Sequence, residues 1–483
     1  MTFIFQNLKR NSLRISRIKR TYCKNPYEFT DSVPDASIHS ENQDEKLKKY
    51  VKKQFTSSTN LIQAYPDLTV LLHPGSMNKI VSNLVDRLSV ENETEAKTKL
   101  QNLYDLKNKT ITNPSKENRE ALNRAALQFP NLSHPIIMDL KEPKVLFDNT
   151  SKSQLKEGTK IRSFDQISTK VFKSARTKET GQTTSEKSYY LFGPLAELEQ
   201  ALIRYTIDYL TKRCGFDLVS VPDILNPQII EACGMSTTGK ITNVFKLNSK
   251  FYGDKALSGT AEMAFGALFR NKKIDFTQQK VQKYAAVSRC YRAESAMGRR
   301  ERGLYRVHQF TKVEMFVLTP CDKAISDMVH EQILSIQQRL FDDLELIYRV
   351  LDMHPGDLGA PAARKFDCEA LMPGFLSDQE PFYGEISSTS NCTDYQSRRL
   401  NIRDVSKGSF CHTLNGTACA IPRMIMAICE QFQMPNGCIN LPKKLWPYMP
   451  SMKYSIDDFL GPRPKSKKPD FVYNKNPNSF AKD

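Results

Sequence analysis

The segment from Leu304 to Leu318 constrains the fold most strongly, because its alternation places Arg306, His308, Phe310, Lys312 and Glu314 on one face. Val307, Val313 and Met315 fall on the other face. A strand with an aromatic ring set among bases and acids is poorly suited to simple packing. It suits a planar ring stacked on Phe310 with guanidinium groups on phosphates. An earlier strand is expected from Tyr284 to Glu294, with Arg292 and Glu294 on the same face. The connection Ser295 to Gly303 carries Arg299, Arg300 and Arg302. Two antiparallel strands around a basic loop are therefore predicted.

A third constellation lies at His412 to Ala418, which leads into Pro422 and Arg423. Pro422 fits the first position of a helix, so Arg423 is expected in the first turn, where free N–H groups and the helix dipole favour an anion. Neither G-x-x-x-x-G-K-[ST] nor a G-x-G-x-x-G opening a βαβ unit occurs. Nucleotide binding would thus rest on arginines over an antiparallel sheet.

The chain has 483 residues, enough for two or three domains. Lys and Arg number 70 against 53 Asp and Glu, and the formal charge of +17 favours a polyanionic partner such as nucleic acid. No apolar run is long enough to span a bilayer, so a soluble protein with no membrane partner is expected. The 11 cysteines include no C-x-x-C pair and read as reduced core thiols, so no zinc is expected. His308 has no partner at metal-ligand spacing and reads as a structural histidine, and Lys312 as a solvated neighbour of Glu314.

Residues 1–27 hold Lys9, Arg10, Arg14, Arg17, Lys19, Arg20 and Lys24 interleaved with apolar residues, with no acid before Glu28. That is the pattern of a mitochondrial presequence. Residues 28–64 read as a polar linker and 451–483 as a basic, Pro- and Lys-containing tail. Leucine spacing predicts helices over Glu91–Lys109 and Ser115–Gln128, broken at Asn113-Pro114-Ser115. A further helix is predicted over Leu195–Arg213, stopped by Gly215, with a strand from Phe216 to Val221.

Several of these segments resemble a known family. CYRAESAMGRRERGLYRVHQFTKVEMF resembles the second motif of class II aminoacyl-tRNA synthetases, specifically of mitochondrial-type seryl-tRNA synthetases. HTLNGTACAIPRMIMAICEQFQMPNGCINLPKKLWPYM resembles their third motif. GTAEM from Gly259 resembles the serine-binding segment, and GEISSTSNCTDYQSRRLNIR from Gly384 the strand before motif three. The resemblance implies an α+β fold, a class II antiparallel sheet flanked by helices, with a short N-terminal helical hairpin arm. It implies an N-terminal tRNA-binding region over 65–187 and a catalytic domain over 188–450.

By position it also implies that Arg292 binds the ATP α-phosphate and the serine carboxylate, Glu294 the adenine end, Phe310 the base, and Arg423 the γ-phosphate. Glu385 and Ser388 would contact Mg2+ and phosphate. Thr260, Glu262, Glu314, Asn415 and Thr417 would line the serine pocket with Arg292, and Arg299, Arg300 and Arg302 would meet the tRNA acceptor end. The implied activity is that of a serine–tRNA ligase in the mitochondrial matrix. It would use ATP, serine and mitochondrial tRNA(Ser), as a homodimer joined around Leu195 to Pro222 or a heterodimer with a paralogue. The hairpin is shorter than the family's usual long coiled coil. The alternative is a non-catalytic paralogue that binds tRNA(Ser) and partners with the active enzyme.

Overall fold

The structure, a computed structural model, describes residues 64–152, 161–171, 175–176, 184, 187–239, 242–294, 303–375, 382–434 and 438–449. The expected presequence 1–27, nearly all of the linker, the tail 451–483 and the loop arginines Arg299, Arg300 and Arg302 lie outside the described residues.

An eight-stranded sheet forms the centre. Its strands are β1 (Lys144–Asp148), β2 (Asp217–Leu218), β3 (Gln282–Tyr291), β4 (Gln309–Thr319), β5 (Tyr348–Asp352), β6 (Arg364–Leu371), β7 (Tyr383–Asn391) and β8 (His412–Ala420). They are ordered β1-β5-β6-β7-β8-β4-β3-β2, and every pair is antiparallel except β2 with β3. The edge strand β1 comes from the segment read as N-terminal region.

Alternation along β4 divides the molecule. Val313, Met315 and Val317 enter the main core with Leu198, Leu202 and Tyr205 of α4 (Pro194–Arg213), Ile333 of α6 (Lys323–Asp343) and Ile425 of α8 (Ile421–Gln431). Phe316 and Leu318 point the other way, against Phe265 and Phe269 of α5 (Ala261–Phe269). Phe310, Lys312 and Glu314 share that second side, and there the apolar packing gives way to a polar site.

The N-terminal hairpin forms as expected. Helices α2 (Glu93–Thr112) and α3 (Lys116–Leu127) start at Asn92 and Ser115, whose side chains accept from Glu95 N and Asn118 N. Together with α1 (Met77–Asp86) they bury Ile80, Leu84, Leu100, Leu103 and Leu122 in a small core of their own. Charged and polar side chains fasten its base to the sheet domain. Arg87 donates to the carbonyls of Ala362 (2.9 Å) and Gly359 (2.6 Å), and Arg399 of α7 (Tyr395–Leu400) donates to that of Leu127 (3.1 Å). Burial pushes the Arg87 guanidinium down to about 10, which leaves it charged at neutral pH.

The expected strand ends need correction. β3 stops at Tyr291, β4 begins at Gln309 rather than Leu304, and β2 is two residues long. Arg292 and Glu294 thus follow the ladder, and Tyr305 and Arg306 sit in the turn region that precedes β4. The Glu294–Arg306 ion pair (2.9 Å) and the Arg292 N to His308 O bond (2.9 Å) hold this connection in place of further strand pairing. Pro422 is the second helical residue of α8, after Ile421, and Arg423 remains in the first turn.

Arg87→Leu should lower stability by about 1–3 kcal/mol, because buried carbonyls lose their donors. A lower urea midpoint followed by circular dichroism is the expected outcome; an unchanged midpoint would show that the arm base does not depend on this clamp.

Candidate active site

Two β-bulges build the site. Cys368 pairs with Ser387 and Glu369 with Glu385, so β7 carries Ile386 as an extra residue. The bulge breaks the period of two and brings Glu385 and Ser388, three positions apart, to one cleft. On β8, Thr417 pairs with Glu314 and Cys419 with Val313, which makes Ala418 the extra residue. Thr417 and Ala420 consequently line the same cleft.

That cleft, with the open solvent at its mouth, spans about 590 Å³. Arg292, Glu294, Phe310, Glu385, Ser388 and Arg423 all line it. Six residues expected to act together on a nucleotide therefore converge, although they come from four separate parts of the chain. The Arg292 guanidinium lies 5.6 Å from the centre of the Phe310 ring, and its Nε donates weakly to Gly259 O at 3.4 Å. Its two terminal nitrogens have no hydrogen-bond partner among the described residues.

Arg423 is fixed more firmly. Nε donates to Tyr305 O (3.1 Å), Nη1 to Glu385 O (2.8 Å), and Nη1 also pairs with Glu385 Oε2 at 3.2 Å. The guanidinium lies 4.4 Å from the Tyr305 ring centre, and Tyr305 Oη accepts from Glu385 N at 3.0 Å. Nη2 has no hydrogen-bond partner among the described residues. Burial works against the charge on Arg423, but Glu385 and Tyr305 outweigh it and push the guanidinium pKa up. Burial likewise opposes ionisation of Glu385, yet Arg423, Lys365 and Arg292 hold its carboxyl below the usual range.

A second polar cluster adjoins the cleft through Lys312 and Thr417, which line it. Thr260 caps α5, and its Oγ1 accepts from Lys312 Nζ at 2.9 Å. Lys312 Nζ also meets Glu314 Oε2 at 2.6 Å, and Thr417 Oγ1 donates to that oxygen at 3.2 Å. Glu262 accepts from Asn415 Nδ2 (2.7 Å) and from Gln396 Nε2. Burial, and then Glu314, push Glu262 up to about 7. Thr260, Glu262, Glu314, Asn415 and Thr417 are thus brought into one network, with only Thr417 among them on the cleft wall.

Lys312 corrects the sequence expectation. It is only 6% exposed and bonded on three sides, not solvated. His308 Nε2 lies 3.3 Å from Glu294 O and its ring packs edge-on against Phe245, as a structural histidine would. Tyr305 and Gln396 were not singled out from the sequence. Tyr305 falls on the Val307 face of the strand expected from the sequence but acts from a turn through its carbonyl, ring and hydroxyl, and Gln396 acts from a helix, so alternation revealed neither.

The carboxylate of Glu385 and the hydroxyl of Ser388 are hard oxygen donors on one wall. Asp367, opposite Ser388 in the ladder, is buried with Oδ1 lacking a hydrogen-bond partner among the described residues. Such a donor set suits Mg2+, which keeps much of its water and needs few protein ligands. No group of three or more His, Cys, Asp or Glu side chains arranged for a metal occurs among the described residues.

The tRNA synthetase class II core domain (G, H, P, S and T) matches residues 245–432. Serine–tRNA ligase of Borrelia recurrentis is 40% identical over 350 residues, covering 70% of this chain and 76% of that protein. The mitochondrial serine–tRNA ligase of Mus musculus is 37% identical, covering 68% of this chain and 63% of the relative. The chain also spans under two thirds of the Borrelia garinii and Bos taurus relatives, 61% and 62%. The crystal structure of seryl-tRNA synthetase from Pyrococcus horikoshii complexed with ATP superposes with a TM-score of 0.67 at 27% identity. It covers 79% of this chain and 98% of that one.

The raised carboxyl of Glu262 has a thermodynamic signature. Its folded pKa, about 7, lies above its unfolded 4.5, so the native state binds the extra proton and stability falls as pH rises from 4.5 to 7. Glu262→Gln should melt like wild type near pH 4.5 and at a higher temperature at pH 8. A difference that is constant across pH would contradict the assignment.

Proposed function

This chain belongs to the seryl-tRNA synthetase family of class II, and on that footing we propose that it is a mitochondrial serine–tRNA ligase. It activates serine with ATP to seryl-adenylate and transfers the seryl group to mitochondrial tRNA(Ser). The observation that carries the reading is the meeting of Arg292, Phe310 and Arg423 in one cleft beside the network of Thr260, Glu262, Glu314, Asn415 and Thr417.

The chemistry needs no base. The serine carboxylate is already ionised at neutral pH, attacks the α-phosphorus in line, and pyrophosphate leaves. Arg292 binds the α-phosphate and the serine carboxylate, and Arg423, held by Glu385 and Tyr305, meets the γ-phosphate of a bent ATP. Phe310 stacks on adenine and Glu294 accepts from its edge. Glu385 and Ser388 would hold Mg2+, which supplies charge neutralisation on the phosphates. The tRNA 3'-terminal hydroxyl then attacks the adenylate carbonyl and its proton passes to the phosphate of the departing AMP; Arg299, Arg300 and Arg302 would meet the acceptor end.

The amino-acid pocket discriminates by hydrogen bonding. Alanine would leave buried polar groups unpaired, which costs more than the lost contact. A basic, acid-free start before Glu28 and the mouse and bovine mitochondrial relatives support a matrix location. The partner in this reading is a second copy of the chain, joined around Leu195 to Pro222.

Serine-dependent ATP–pyrophosphate exchange tests the reading. The wild type should exchange with serine, Arg423→Ala should lose roughly 100-fold or more in kcat/KM, and Phe310→Ala should raise the KM for ATP roughly 10-fold. Retained tRNA binding without exchange would instead identify a non-catalytic paralogue.

A further inference from the structure

Lys312 is a buried cation that the chemistry above does not use. Packing alone does not explain it, since an apolar side chain could fill the same space without desolvating an ammonium. Its three N–H bonds are all directed: to Glu314 Oε2 at 2.6 Å, Thr260 Oγ1 at 2.9 Å and Thr417 Oγ1 at 3.4 Å. We infer that Lys312 is the positioning residue of the amino-acid pocket, holding one oxygen of Glu314 and two threonine hydroxyls so that the second Glu314 oxygen receives the substrate's amino group. This rests on the reading of the site as a serine-activating one.

The hydrogen-bonding capacity of these groups decides which atoms remain open to a substrate. A hydroxyl accepts at most two hydrogen bonds and donates one. Thr417 accepts from Lys312 and donates to Glu314 Oε2. Thr260 accepts from Lys312 and, at 3.4 Å, from Glu262 N, so its remaining capacity is as a donor. Glu314 Oε2 is taken by Lys312 and Thr417, whereas Oε1 has no hydrogen-bond partner among the described residues. The pocket is therefore left with one anionic acceptor and an adjacent hydroxyl donor. A primary ammonium and a neighbouring hydroxyl oxygen match that pair.

Charge supports the same assignment. Two buried carboxylates, Glu262 from α5 and Glu314 from β4, face each other electrostatically, and Lys312 is the cation bonded to one of them. Arg292, which follows β3, and Cys290 on β3 also face this region, and Thr417 faces it from β8. Lys312 opposes the upward push on the Glu262 carboxyl, so removing its charge would favour protonation of Glu262 and strip the pocket of negative charge that attracts an ammonium.

The test is serine-dependent exchange measured from pH 6 to 9 for the wild type, Lys312→Met and Lys312→Gln. In Lys312→Met the KM for serine should rise roughly 30-fold or more, as when one partner of a buried charge pair is truncated. The KM for ATP should change by no more than about 3-fold, since uniform binding of that substrate is untouched. The acidic limb of kcat/KM for serine should move to higher pH in both variants, which a loss of packing alone would not produce. Lys312→Gln, which keeps a donor without the charge, is read in the same way should Lys312→Met fail to fold. An unchanged serine KM with an unmoved limb, or equal rises in both KM values with an unmoved limb, overturns the inference. Absence of serine-dependent exchange in the wild type overturns the parent reading instead, and this inference with it.

Discussion

Two guanidinium groups must remain charged over the inner strands of a sheet with an apolar core, and the rest of the site is arranged around that requirement. Arg423 is held by a carboxylate, two backbone carbonyls and an aromatic face, which fix its position and leave one terminal nitrogen toward the cleft. Arg292 lies near a phenyl ring and makes one long bond to a carbonyl. Anchoring only part of each fork keeps donors available to an anion while the charge stays compensated.

The sheet supplies rigidity and the bulges supply aim. A regular β7 would send Glu385 and Ser388 to opposite faces, and a regular β8 would do the same to Thr417 and Ala420. With one extra residue in each strand, the polar side chains turn to the cleft while Val313, Met315 and Val317 on β4 stay in the main core. Apolar packing against α4, α6 and α8 thus fixes backbone positions that the polar site uses. The same logic extends to the arm, whose buried arginine contacts tie its base to the loop at Gly359–Ala362.

Much of this was legible from residue order. The alternation of Phe310, Lys312 and Glu314, the helical breaks at Asn113-Pro114-Ser115 and the placement of Arg423 in a helix's first turn all follow from local stereochemistry. Other features were not. A bulge leaves no mark in hydrophobic periodicity, and an ion pair such as Glu294–Arg306 ends a strand without any breaker residue. Lys312 was misread because burial of a lysine depends on oxygens contributed by α5 and β8, which are distant in sequence.

The most direct measurement is a crystal structure of the protein soaked with a non-hydrolysable seryl-adenylate analogue. The account predicts adenine against Phe310, the phosphate mimic within hydrogen-bond distance of Arg292, and the seryl amino group on Glu314. Density for the analogue outside this cleft, or an adenine remote from Phe310 with Arg292 directed elsewhere, would contradict it.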